Sequence, residues 1–192
     1  MGSCGPRCTE IAEPTYPAVA DFEAADAFST RVAPLFEGAP RFLARLAAAR
    51  PFRAWGALFE AARGIAHALP DAEQVELVDA HPPLGAPSAS VSALSFREQG
   101  YDQEAAANLA SDAARERDLV VAELDRLNRA YEARFGFRYC VFVAGRSRSE
   151  LMPEMAAALA RQRDSELHRA LDAVIDIALD RHRTLAAADR DA

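Results

Sequence analysis

The chain has 192 residues, 51% of them apolar and 27% charged, with a formal net charge of -7. That supports one domain of ordinary size with a substantial core. An acidic balance without a basic stripe argues against a general nucleic-acid binder. The cysteines, Cys4, Cys8 and Cys140, form neither a disulfide framework nor a set of ligands at zinc spacing. No apolar run reaches the roughly 18 residues that mark a membrane span, and the N-terminus lacks the basic start and apolar stretch of a secretory signal. A reducing cytoplasm fits these features.

Residues 1–20 contain Gly2, Gly5, Pro6, Pro14 and Pro17 and little periodicity. They read as a tail ahead of one helical domain over 21–188. From Asp26 onward apolar residues recur at helical spacing: Phe28, Val32, Leu35 and Phe36 form one stripe. Pro40 suits the first turn of a helix that turns Phe42, Leu43 and Leu46 inward and ends at Pro51. Residues 52–69 give another helix, with Trp55, Leu58, Phe59, Ala62 and Ile65 on one face. Asp71 is placed to cap a short helix carrying Val75, Leu77 and Val78.

The run from His81 to Pro87, with Pro82, Pro83 and Gly85 inside it, breaks the helical pattern. Ser95 to Glu98 has capping-box spacing and opens the next segment. Residues 103–133 hold Leu109, Leu119, Val120, Leu124, Leu127 and Tyr131, and Gly136 is placed to end that helix. Tyr139 to Val143 is strand-like in composition, but no comparable run exists to pair with it, so a buried extended connection is expected. Two further helices follow over about 149–163 and 165–187. The architecture predicted is an all-α bundle of about seven to nine helices.

Four features bear on chemistry. His81, at a helix end before a proline-rich turn, suits either dipole complementation or acid–base work, since imidazole titrates near neutral pH. Ser95, Phe96, Arg97, Glu98 and Gln99 either form a helix cap or present a hydroxyl, a carboxylate and an amide together to a ring rich in N–H and C=O groups. Tyr139, Cys140, Val141, Phe142 and Val143, if extended, need partners for their backbone groups. Those partners are loops, water or a planar polar ligand. Arg181 falls on the apolar stripe of Leu167, Leu171, Val174, Ala178 and Leu185. A guanidinium there requires a buried carboxylate, a route to the rim or an anionic ligand, because an unpaired buried charge is costly. Asp180 and Arg183 read as solvated surface.

Taken together, Ala80-His81-Pro82, Ser95-x-x-Glu98-Gln99, Leu127-Asn128-x-x-Tyr131-x-x-Arg134-Phe135-Gly136-Phe137, the Gly145 to Glu150 turn and the arginine near the end of the last helix resemble the 2-oxo-4-hydroxy-4-carboxy-5-ureidoimidazoline (OHCU) decarboxylase family. The resemblance covers about residues 26–187. Two places depart from the family's pattern: Arg138 stands where a proline is usual, and the segment after His81-Pro82 differs. The resemblance implies an all-α homodimer without metal or organic cofactor that forms (S)-allantoin from OHCU. It implies His81 as catalytic acid/base with Glu98 as its partner, and Arg181 as the arginine that meets the substrate. Pro82, Ser95 through Gln99 and the backbone of Tyr139 through Val143 would line the site. The alternative is a same-fold protein that acts on, or only binds, a related ureido or purine-derived ligand.

Overall fold

The computed structural model describes residues 25–101 and 111–188. Among them are eight α-helices and no strand: α1 Ala25–Val32, α2 Pro40–Ala48, α3 Trp55–Ala68, α4 Asp71–Asp79, α5 Ala93–Glu98, α6 Ser111–Phe135, α7 Arg148–Ala158 and α8 Arg163–Ala188, with short 3-10 turns at Ala33–Phe36 and Ser88–Ser90. The expected tail and Leu109 lie outside the described residues.

α8 is the axis of the fold. Leu167, Ala170, Leu171, Ala173, Val174, Ile175, Ile177 and Ala178 are all buried, more than half the helix circumference, as befits a helix surrounded by others. The 33–36 turn and helices α3 and α4 pack against it. Pro40 opens α2 as its first residue. Gly136, at φ +78°, follows the last residue of α6, a left-handed conformation that glycine adopts without strain. In the first half of α6, however, Leu119 is 72% exposed, while Val120 beside it is half-buried against the core, so the expected stripe holds there only in part.

Three local readings change. Pro70 rather than Asp71 precedes α4, and Asp71 becomes its first residue, its carboxylate taken by Arg163 at 2.6 and 3.0 Å. Ser92, not Ser95, caps α5 by accepting the Ser95 N–H at 3.1 Å. The Ser-x-x-Glu pair that does form a capping box is Ser147 with Glu150, at the start of α7. That helix ends at Ala158, earlier than the sequence pattern suggested.

The proline-rich turn is stapled to its surroundings. The Gly85 N–H donates to the Gln99 side-chain carbonyl at 2.8 Å, and the Asn128 amide donates to the Leu84 carbonyl at 2.9 Å. Gly85 has φ +79°, and a Cβ there would sit 2.9 Å from Leu124 Cδ1. Only glycine lets this turn lie so close to α6.

Candidate active site

The turn after α4 with His81, Pro82 and Leu84, α5 with the Gln99 that follows it, the second half of α8 and the 139–145 connection converge on one cavity of about 450 Å³. Arg181 is its keystone. The side chain is 1% exposed, and each guanidinium nitrogen is occupied by the chain itself. Nε donates to Glu98 Oε1 at 2.6 Å and one terminal nitrogen donates to Glu98 Oε2 at 2.8 Å. The same terminal nitrogen reaches Glu37 Oε1 at 2.8 Å and Ser95 Oγ at 3.0 Å. The other donates to the Pro34 and Leu35 carbonyls at 3.2 and 3.3 Å. Burial opposes this charge, but Glu98 and Glu37 more than restore it, and the guanidinium is held above its ordinary pKa.

Glu37 is part of this site without any sequence signal pointing to it. It sits at φ 51° directly after the 33–36 turn, a left-handed conformation that costs a non-glycine residue energy and is held by its surroundings. Its Oε1 accepts from the Ser92 and Ser95 hydroxyls at 2.8 and 2.7 Å. Burial alone would raise its pKa. The Ser95 hydroxyl, the Arg181 charge and the Ser92 hydroxyl outweigh that and hold the carboxyl below its ordinary value.

His81 is 4% exposed, and neither ring nitrogen has a hydrogen-bond partner in the protein. The expected His81–Glu98 pair is therefore not made; both Glu98 oxygens lie on Arg181 instead. Burial first, and the nearby Arg181 charge second, push the imidazole pKa down to about 4; Glu37 pulls the other way, and the Leu77 carbonyl does so weakly, without a well-formed bond.

A stability test follows. Between the ordinary value of 6.5 and about 4 the unfolded chain takes up a proton at this histidine that the folded chain refuses. The protein is therefore expected to lose about 3 kcal/mol from this group as pH falls through that window. Urea midpoints followed against pH should fall less steeply for His81→Asn than for the parent. Parallel curves would mean that His81 is not held neutral by burial.

Of the other expected site residues, Pro82, Ser95, Gln99 and the whole Tyr139–Val143 run line the cavity. The Gln99 carbonyl oxygen is already used by Gly85. Phe96 and Arg97 do not line it. Phe96 stacks on Tyr101 with ring centroids 5.3 Å apart, while Arg97 is exposed and borders a smaller cavity of about 200 Å³ behind Glu98. Asp180, expected on the solvated surface, lines both cavities. Leu84, Ala144, Gly145 and Ile177 complete the wall of the larger one.

The 139–143 segment is neither helical nor paired with a strand among the described residues; Tyr139 and Cys140 are buried and Val141, Phe142 and Val143 half-buried. Its carbonyls are met by arginines: Arg169 donates to Cys140 O at 2.9 Å, and Arg146 donates to Phe142 O at 2.6 Å and Val143 O at 3.1 Å. Arg169 in turn is held by the fully buried Glu166 at 2.7 Å, which also accepts from the Tyr131 hydroxyl at 2.9 Å. Burial pushes the Cys140 thiol pKa up to about 12, so it is a neutral wall residue. Among the described residues no group of His, Cys, Asp and Glu side chains is placed to hold a metal ion, and no helix is long and apolar enough to cross a membrane.

The family model described as OHCU decarboxylase matches residues 23–183. The uric acid degradation bifunctional protein PucL of Bacillus subtilis (strain 168) is similar at 31% identity over 144 residues, and the matched stretch spans 75% of this chain but 27% of that protein. A crystal structure of OHCU decarboxylase in the presence of (S)-allantoin is similar with a TM-score of 0.59 at 18% identity, over 82% of this chain and 97% of that one. A crystal structure of (S)-allantoin synthase gives 0.57 at 17% identity, over 85% of this chain and 52% of the other. At these identities the structural likeness is one of fold. The family model, by contrast, takes in every residue that walls the cavity, from His81 to Arg181, and on that match the chain belongs to the OHCU decarboxylase family.

Proposed function

We propose that the protein decarboxylates OHCU to (S)-allantoin in urate degradation, without a cofactor. Family membership supports this reading, and one observation carries it within the site: a buried imidazole with both ring nitrogens unpaired, lining the same cavity as the Arg181–Glu98 pair. Orphaned buried ring nitrogens cost stability, and a ligand that bonds them repays that cost.

The chemistry suits these groups. Breaking the ring-carbon to carboxylate bond releases CO2 and leaves its electron pair to spread into the adjacent C=N and carbonyl groups. A proton must then be added on one face. His81 is neutral at neutral pH, so it acts first as a base, taking a proton from the substrate. The imidazolium thus formed in a buried site is a strong acid and returns the proton. Glu98, pinned by Arg181, gives the site a fixed carboxylate acceptor for ring N–H groups. Backbone amides of the 139–143 segment, whose carbonyls are partly occupied by arginines, supply donors to developing negative charge. Pro82 and Ser95 shape the wall beside His81. The reading extends to a homodimer, which rests on the family resemblance, and to the cytoplasm, which rests on the sequence features described first.

The test is to add the protein to OHCU freshly generated from urate. Accelerated loss of OHCU with optically active allantoin is expected. Decay at the uncatalysed rate, giving racemic product, would overturn the proposal.

A further inference from the structure

Arg138 stands where the family usually has proline, and the structure gives it bonds that proline cannot make. Its backbone N–H donates to Asp79 Oδ1 at 2.8 Å. Its guanidinium reaches over the end of α4 and donates from one nitrogen to the Asp79 carbonyl at 2.6 Å and to the His81 carbonyl at 3.2 Å. The terminal carbonyls of a helix have no partner within the helix, and a cation there also complements the helix dipole. The other restraint on this backbone is the single bond from His81 N–H to the Val78 carbonyl at 3.1 Å. The His81 ring has none, since both its nitrogens are unpartnered.

We propose that Arg138 is a positioning residue for His81, clamping the His81 carbonyl so that the imidazole stays in the cavity wall. Its side chain touches the backbone of Asp79 and His81 and acts on the reaction through His81. The role rests on the decarboxylase reading above for its effect on rate, but not for its effect on the imidazole. The clamp also links two walls of the site, because Arg138 immediately precedes the 139–143 segment and is bonded to the segment that carries His81.

The experiment compares Arg138→Met and Arg138→Lys with the parent in two measurements. In steady-state turnover of OHCU, the Met variant should lose on the order of tenfold in kcat with KM little changed, because a displaced acid/base costs rate more than binding. The Lys variant keeps a cation with rotatable donors and should recover part of the loss. In NMR titration of the ring resonances, with His81 assigned by its disappearance in His81→Asn, the parent should titrate near 4. The Met variant should titrate higher, towards 6.5, as the loosened ring gains water. The ionisable groups that share the cavity or act on the ring's charge are Arg181, Glu37, Glu98, Asp180, Tyr139 and Cys140, with Asp79 on α4 itself. The substitution leaves all of them in place.

A Met variant that melts lower but keeps the parent's kcat and the parent's His81 titration would overturn the proposal and leave Arg138 a stabilising residue only. If the parent shows no turnover of OHCU, the decarboxylase reading fails, while the titration of the Met and Lys variants still decides the clamp.

Discussion

His81→Asn is expected to fold like the parent and turn over OHCU at least about a hundredfold more slowly, the scale of a lost general acid/base. The fold should tolerate the change because the imidazole makes no hydrogen bond in the protein, so no partner is orphaned when it goes. Asparagine keeps a polar planar group of similar reach but cannot exchange a proton near neutral pH. The loss should appear in kcat rather than in KM, since the transferred proton matters in the transition state. Turnover within a few fold of the parent would demote His81 to a packing residue and require another base among the cavity's side chains.

Arg181→Met is expected to destabilise the fold by about 3–5 kcal/mol at neutral pH, the usual effect of removing one partner from a buried ionic cluster. Two carboxylates lose their cation at once. Glu37, with 14% of its side chain exposed, is the more deeply buried; Glu98 has 25%. In the parent, Glu37 titrates below its ordinary value, so its contribution is present above the carboxylate range and is lost as pH falls through it. In the variant that carboxylate is buried without its counter-charge. The deficit should therefore shrink as acid neutralises the orphaned groups, and Glu37→Gln combined with Arg181→Met should regain much of the loss. Equal melting of parent and Met variant at neutral pH would show that the cluster contributes nothing net.

The bundle was largely legible in the sequence because its signals are local. Pro40, Gly136 and the Leu167 to Leu185 stripe each act within a turn or two of their own position. The burial of Arg181 was legible for the same reason: a charge on an apolar stripe has few places to go. Its partners were not. Glu37 lies well over a hundred residues away in the chain and is delivered by the packing of the 33–36 turn on α8, which no local pattern encodes. Ser95-x-x-Glu98 and Ser147-x-x-Glu150 are the same pattern, yet only the second is a capping box. With Ser92 as cap, α5 begins earlier, Glu98 falls at the helix's last residue, and its carboxylate is free to cross to α8. Arg138 was visible as a departure from a family pattern, but its meaning required the end of α4 beside it.

Every partner named for Arg181 belongs to the chain itself, and this has a consequence for how the site meets its ligand. On the decarboxylase reading proposed above, the dipoles and charges that face the reacting ring are aligned by folding, not by binding. The entropy of fixing Glu98 and the Ser95 hydroxyl is lost when α5 docks on α8, before any encounter with substrate. Binding free energy is then spared for orienting the ring rather than ordering the protein. In this cluster rigidity and reactivity are properties of the same bonds, so it cannot be loosened for speed without loosening the fold.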